Sequence, residues 1–184
     1  LSIVGYTNAG KSTLFNVLTK SDIYAANQLF ATLDTTARRC YVGDGESVVL
    51  SDTVGFIRGL PHQLVEAFKS TLDETVHADI LLHVVDASSP AKDDQIVEVN
   101  KVLEEIDAHQ IPTILVLNKI DKTDLEPEIL RNPAGDIEAV RISALKGNGL
   151  DILREAILEK SRQIKQQNQS LPREPEDWEL ELDN

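Results

Sequence analysis

Methionine is absent from the 184 residues, and cysteine occurs once, at Cys40. A single cysteine cannot close an internal disulfide and fits a reducing compartment. Placed in the extended run 38–42, it reads as a structural thiol. Four histidines and one cysteine, scattered along the chain, supply no ligand set for a structural zinc. His83 lies inside an apolar run and reads as a core histidine, while His62, His77 and His109 fall on or near expected helix ends. No apolar stretch approaches the roughly 20 residues of a membrane span, and no signal-peptide pattern is present. A cytoplasmic location with no membrane span is therefore expected. Basic residues are scarce, 18 Lys and Arg against 31 Asp and Glu, for a net charge of −13. Neutralising nucleic-acid phosphates needs Lys and Arg, so generic nucleic-acid binding is not expected. Local basic spots exist at Arg38-Arg39 and at Lys160, Arg162 and Lys165, and a solvated face accounts for both.

Hydrophobic residues make up 41% and charged residues 27%, the balance of an ordinary globular domain. The segment 167–184 carries six acids against one arginine, five of the net negative charges, and leaves eight to residues 1–166. It also holds Pro172, Pro175 and the lone Trp178. The expected organisation is one domain over 1–166 and an acidic tail over 167–184. Leu1 already stands inside a strand-like run and no initiator Met precedes it, which reads as a domain excised from a longer protein.

Within that frame one string carries chemistry: Gly5-Tyr6-Thr7-Asn8-Ala9-Gly10-Lys11-Ser12, followed by Thr13. It is a complete phosphate-binding loop, placed between the apolar Ile3-Val4 and the helix-like Leu14, Phe15, Val17, Leu18. Glycines let backbone N–H groups curl around a phosphate. Lys11 can reach the terminal phosphates, the Ser12 hydroxyl can bind magnesium, and the helix N-terminus adds positive partial charge. Asp52-Thr53-Val54-Gly55 follows the extended run 47–51. Its aspartate can hold magnesium through water, and its glycine N–H can sense a γ-phosphate.

Asn118-Lys119-Ile120-Asp121 follows the apolar strand 114–117 and is more specific. The Asp121 carboxylate can accept hydrogen bonds from the ring N–H and the exocyclic amino group of guanine, a pattern adenine does not present. Ser143-Ala144-Leu145, after Val140-Arg141-Ile142, can place backbone at the guanine O6 edge. Between Ser12 and Asp52 lies Phe30-Ala31-Thr32-Leu33-Asp34-Thr35-Thr36. A GTP switch needs a threonine there that joins magnesium only while the γ-phosphate is present; the residues alone leave Thr32, Thr35 and Thr36 open.

Apolar runs alternate with helical patterns, which predicts βαβ units around a mainly parallel, doubly wound sheet. The expected strands are 2–5, 38–43, 47–52, 80–86, 113–118 and 139–143. The second and third form an antiparallel hairpin about Gly43-Asp44-Gly45-Glu46. Helices are expected over 11–20, 60–77, 93–109 and 148–166. The fold class is thus α/β, a P-loop nucleotide-binding domain with a six-stranded sheet and one antiparallel edge strand. All four motifs follow strands, so the fold gathers them at one sheet edge.

The set Gly5 to Ser12, Asp52 to Gly55, Asn118 to Asp121 and Ser143-Ala144 resembles the translation-factor-related GTPases. Gly-Tyr-Thr-Asn-Ala-Gly-Lys-Ser, Phe-Ala-Thr-Leu-Asp and Asp-Thr-Val-Gly-Phe-Ile-Arg narrow the resemblance, over about residues 1–165, to the HflX family of the Obg–HflX group. That resemblance implies a GTP- and GDP-binding G domain with Phe30 to Asp34 as first switch and magnesium held by Ser12, Thr32 and Asp52. It implies Lys11 and Asn8 as catalytic groups, since Asn8 matches an asparagine that holds potassium in potassium-activated relatives. It also implies a further N-terminal domain and partnership with the ribosome, chiefly the large subunit, in splitting or rescue. Phe56 stands where many GTPases carry a water-positioning glutamine, so slow hydrolysis in isolation is expected, with a partner completing the site. Arg58 is an alternative mobile positive group, though surface solvation accounts for it as well. Other readings are a ribosome-assembly or tRNA-modification GTPase, a nucleotide-gated binding module with negligible turnover, and an ATPase or small-molecule kinase, against which Asp121 argues.

Overall fold

The computed structural model describes residues 1–6, 8–26, 37–51 and 77–170. Thr7, the first-switch candidates Phe30, Ala31, Thr32, Leu33, Asp34, Thr35 and Thr36, and Asp52, Thr53, Val54, Gly55, Phe56 and Arg58 lie outside the described residues, as do the helix expected over 60–77, save its last residue, and the tail from 171 onward. Side-chain placement within 20–26 is likewise not described.

Among the described residues seven strands form one sheet: β1 Ser2–Gly5, β2 Ala37–Gly43, β3 Glu46–Ser51, β4 Leu81–Asp86, β5 Thr113–Asn118, β6 Glu128–Arg131 and β7 Ile137–Arg141. Their order is β2-β3-β1-β4-β5-β7-β6. The five neighbours β3, β1, β4, β5 and β7 run parallel, while β2 and β6 close the two edges antiparallel. The described helices are α1 Lys11–Ala26, α2 Lys92–Glu105 and α3 Leu150–Ser170.

Burial follows strand position. All four residues of β1 are buried, as are the first five of β4, because helices cover both faces of a central parallel strand. Side chains alternate between the faces. Ile3, Leu82, Val84, Ile114, Val116 and Val140 join Leu14 and Leu18 of α1 and Leu153 and Ile157 of α3 in one core. Val4 and Leu81 point the other way, into a second core with Val99, Val102 and Leu103 of α2. Cys40, fully buried, belongs to the first core, in keeping with its reading as a structural thiol.

The β2–β3 turn is an Asp-Gly hairpin with both central residues left-handed, Asp44 at φ 51° and Gly45 at φ 77°. Arg162 of α3 reaches across to this turn, 3.1 Å from Asp44 Oδ2 and 3.2 Å from Glu46 Oε1. The basic residues late in the last helix are therefore partly spent within the domain.

The sheet has one strand more than the sequence pattern suggested. In β6 two apolar residues, Ile129 and Leu130, stand between Glu128 and Arg131, too short a run to register by periodicity. It becomes a strand because β7 offers an edge, with Glu128 opposite Arg141 and Leu130 opposite Ala139. Asn132 makes the return tight: its carbonyl accepts from Gly135 N at 2.9 Å and its side chain from Asp136 N at 3.0 Å. The bidentate Arg131–Glu159 pair, at 2.8 and 2.9 Å, ties the edge to α3. Helix α1 extends to Ala26, beyond the expected end at 20, and α3 to Ser170, beyond 166. Helix α2 stops at Glu105 rather than 109. Asp107 turns left-handed at φ 59°, and Ala108 N donates to Leu103 O at 2.8 Å, a helix stop usually marked by glycine.

His83 sits in β4 between Val4 of β1 and Leu115 of β5 and is buried. Desolvation pushes its pKa down from 6.5 to about 4. Since the folded value lies below the unfolded one, the unfolded chain takes the proton first as pH falls. The stability held above pH 6.5 is thus lost on the way down to about pH 4. The loss amounts to about 3 kcal/mol for the full window. Urea denaturation at stepwise pH values checks this: wild type weakens over that range, and His83→Leu removes most of the dependence there.

Candidate nucleotide-binding site

The carboxyl ends of β1, β4, β5 and β7 lie side by side, with Gly5 opposite Val84, Asp86 opposite Asn118 and Leu117 opposite Arg141. Each strand end releases a loop that enters the site, the arrangement by which open α/β sheets make ligand crevices.

From β1 the chain turns through Tyr6, Asn8 and Ala9 into α1. Gly5 is dictated by space, because a Cβ there would stand 2.4 Å from Val84 O. Gly10 is dictated twice: its φ is +95°, and a Cβ would stand 2.3 Å from Asn118 Nδ2. Asn8, also left-handed at φ 65°, curls the loop. Ala9 is buried, and Leu14 N donates to Gly10 O at 3.0 Å to start the helical ladder. Lys11, the first residue of α1, is only 8% exposed, with its Nζ 3.5 Å from Tyr6 O. Its amine thus folds back over the loop. Ser12 and Thr13 are exposed on the first helical turn.

Asn118 closes β5 and is buried. Its Nδ2 donates to Ala9 O at 3.0 Å, and its Oδ1 accepts from Ala144 N at 3.0 Å. One amide therefore pins the phosphate loop to the loop after β7. Lys119 is left-handed at φ 65° and heads a short 3-10 turn, Ile120–Lys122, whose Ile120 is buried. Its Nζ donates to Asn8 O and lies 3.3 Å from Asp86 Oδ2. Asp121 Oδ1 accepts from the buried Ser143 Oγ at 2.7 Å, and that hydroxyl in turn accepts from Lys146 N at 3.2 Å. A carboxylate engaged by one hydroxyl keeps acceptor capacity for two further N–H groups. The loop after β7 closes through Ser143 and Asn148, which exchange backbone bonds of 2.9 and 3.0 Å. Ala144 is buried, whereas Leu145 is 73% exposed at the loop tip.

The structure thus brings together Gly5, Tyr6, Asn8, Ala9, Gly10, Lys11, Ser12 and Thr13 with Asn118 to Asp121 and Ser143 to Leu145. Two residues escaped the sequence reading as site components. Asp86 ends β4, and its Oδ1 accepts from Ser88 N at 2.9 Å and Ser88 Oγ at 2.6 Å. Burial raises its pKa, but the Ser88 hydroxyl and amide, with the Lys119 charge, outweigh that and hold it below the ordinary value. An Asp-x-Ser turn directly after an apolar strand was the signal available.

A phosphate loop at a helix N-terminus, with an Asn-Lys-Ile-Asp loop locked to it, defines a P-loop GTPase G domain. A family model described as 50S ribosome-binding GTPase matches residues 1–119. GTPase HflX of Escherichia coli strain K12 is 55% identical over 174 residues, 94% of this chain and 41% of the relative. GTPase HflX of Caldanaerobacter subterraneus subsp. tengcongensis is 54% identical over 157 residues, 85% of this chain and 35% of the relative. Among solved structures, a GTP-binding protein of Sulfolobus solfataricus in complex with GDP superposes with a TM-score of 0.69 at 30% identity, covering 89% of this chain and 52% of that one. The FeoB G domain of Methanococcus jannaschii, at 23% identity and TM-score 0.60, shares the fold. The chain belongs to the 50S ribosome-binding GTPase family and, within it, to the HflX GTPases. It spans only about two fifths of the HflX relatives' length. Among the described residues, no helix is long and apolar enough to cross a membrane.

Proposed function

We propose that this domain binds GTP and GDP, hydrolyses GTP slowly and serves as a switch whose GTP form acts on the large ribosomal subunit, in splitting or rescue of ribosomes. The observation that carries the nucleotide reading is Asn118, whose single amide ties the phosphate loop to Ala144 while the neighbouring Asp121 is held by Ser143. Tying the two loops together would hold a base subsite and a phosphate subsite at a fixed spacing, which lowers the ordering cost of binding. The family description supports the ribosomal partner, and the S. solfataricus complex supports GDP as a ligand.

Lys11 supplies positive charge to the terminal phosphates, the main catalytic demand of phosphoryl transfer. The buried amine, the exposed Ser12 hydroxyl one residue on and the helix N-terminus suit a magnesium-bound triphosphate. In this reading Ser12, Thr32 and Asp52 would hold a magnesium ion, whose charge would offset that of the phosphates. Asn8 is the candidate potassium ligand, and its backbone is left-handed within the phosphate loop, at φ 65°.

Steady-state GTP turnover in potassium and in sodium buffer, with and without purified large ribosomal subunits, tests the proposal. Expected are slow basal turnover, a rate in potassium about tenfold that in sodium, and a strong rise on adding subunits. Equal rates in the two salts refute the role of Asn8. Intact nucleotide binding with no response to subunits refutes ribosome action by this domain alone. Failure to bind guanine nucleotides refutes the reading as a whole.

A further inference from the structure

Resting on the guanine-nucleotide reading above, we propose that Asp86 is a positioning residue for nucleotide retention, acting through Lys119 to clamp the base loop to the phosphate loop. Three strand ends meet at this point. Asp86 closes β4, Lys119 follows β5, and Asn8 lies in the loop after β1. The Lys119 ammonium joins them, with the Asn8 carbonyl on one side and Asp86 Oδ2, 3.3 Å away, on the other.

Neither partner of this ammonium is free to wander. Asp86 Oδ1 is taken by both the amide and the hydroxyl of Ser88, which leaves Oδ2 aimed at the lysine. The backbone is fixed beneath it, because Asp86 is paired with Asn118 in the sheet and Ala87 N donates to Asn118 O at 2.8 Å. Lys119 and Asp86 side chains are 24% and 20% exposed, so the pair is shielded more than a surface ion pair. A lysine stem is flexible and its ammonium strongly hydrated. Without a fixed counter-charge it has no reason to stay on one backbone carbonyl.

The clamp is distinct from Asn118, which ties Ala9 to Ala144. Asn118 binds the two loops at the buried floor, and Lys119 binds them at the rim. Releasing the rim loosens Asn8 and the base loop together, so a bound nucleotide leaves faster whichever phosphates it carries.

Dissociation of a fluorescent GDP analogue, followed by displacement with excess GDP, reads this out. Asp86→Asn keeps an oxygen for Ser88 and removes the charge that faces Lys119. It is expected to speed dissociation about tenfold, with the melting temperature of the nucleotide-free protein little changed. Ser88→Ala removes one bond to the same carboxylate and should speed dissociation two- to three-fold, by the same route. Lys119→Met and the double variant Asp86→Asn/Lys119→Met should dissociate at the same rate, since Asp86 acts only through the lysine. An unchanged rate in folded Asp86→Asn, or additive effects in the double variant, overturns the proposal. If Asp86→Asn fails to fold, the cycle of Ser88→Ala with Lys119→Met gives the same decision. Wild type that binds the analogue while the variants match it refutes the clamp alone. Wild type that does not bind it refutes the guanine-nucleotide reading and the clamp with it.

Discussion

Asp121→Asn is expected to lower affinity for guanine nucleotides by roughly 10⁴-fold and to make xanthine nucleotides the preferred ligands, because a polar site rejects a ligand that leaves its buried groups unpaired. The structure explains why the exchange preserves the loop. Ser143 Oγ donates to Asp121 Oδ1, and an asparagine can offer its carbonyl oxygen to that hydroxyl. Its amide nitrogen then occupies the position of the second carboxylate oxygen. Guanine presents donors there and meets a donor. Xanthine presents a carbonyl at the same carbon and gains a bond. Competition of GDP and XDP for the variant, alongside a thermal melt to establish folding, measures the swap. Tight GDP binding by the folded variant would show that Asp121 does not read the base.

Gly10→Ala is expected to cost at least about 100-fold in affinity for GDP and GTP alike, and to lower the melting temperature by several degrees. Two effects act at one atom. The backbone at φ +95° disfavours any side chain, a strain of about 1–3 kcal/mol. The new Cβ would also lie 2.3 Å from Asn118 Nδ2. Asn118 cannot swing aside cheaply, for it is buried and bonded at both ends of its amide, to Ala9 O and Ala144 N. Moving it leaves buried polar groups without partners, at about 1–3 kcal/mol each. Isothermal titration with GDP checks the affinity, and unfolding without ligand checks the strain. A variant that binds GDP like wild type would mean that the contact between phosphate loop and Asn118 is not kept in the nucleotide-bound protein.

Much of the candidate site was legible because its parts are short, local and constrained by backbone geometry. The spacing from Gly5 to Ser12 encodes a loop that only glycine-rich sequences can make, and the string Asn118 to Asp121 encodes base chemistry in consecutive residues. Strands β1, β4 and β5 were legible because buried parallel strands are almost wholly apolar. Strand β6 was not, since two apolar residues between charges become a strand only when β7 supplies the hydrogen-bonding partner. The end of α2 was also hidden. Asp107 adopts the left-handed conformation that glycine usually marks, and Leu103 and Ala108 fix the stop by a backbone bond. Asp86 carried a turn signal, but its function depends on Lys119, 33 positions away in sequence and 3.3 Å away in space.

By itself the sequence determined the alternation of strand and helix and the presence of a phosphate-binding loop and an Asn-Lys-Ile-Asp loop, because each is written in side-chain type and short-range spacing. Only the tertiary structure decided which residues hold one another. Sheet order sets β1, β4, β5 and β7 side by side. That adjacency lets Asn118 bind Ala9 and Ala144, Ser143 bind Asp121, and Lys119 stand between Asp86 and Asn8. Such contacts join residues as many as 111 positions apart. No local propensity encodes them; the burial of two apolar cores brings those strand ends to one edge, and the polar groups pair there because leaving them unpaired would cost more than the fold can spare.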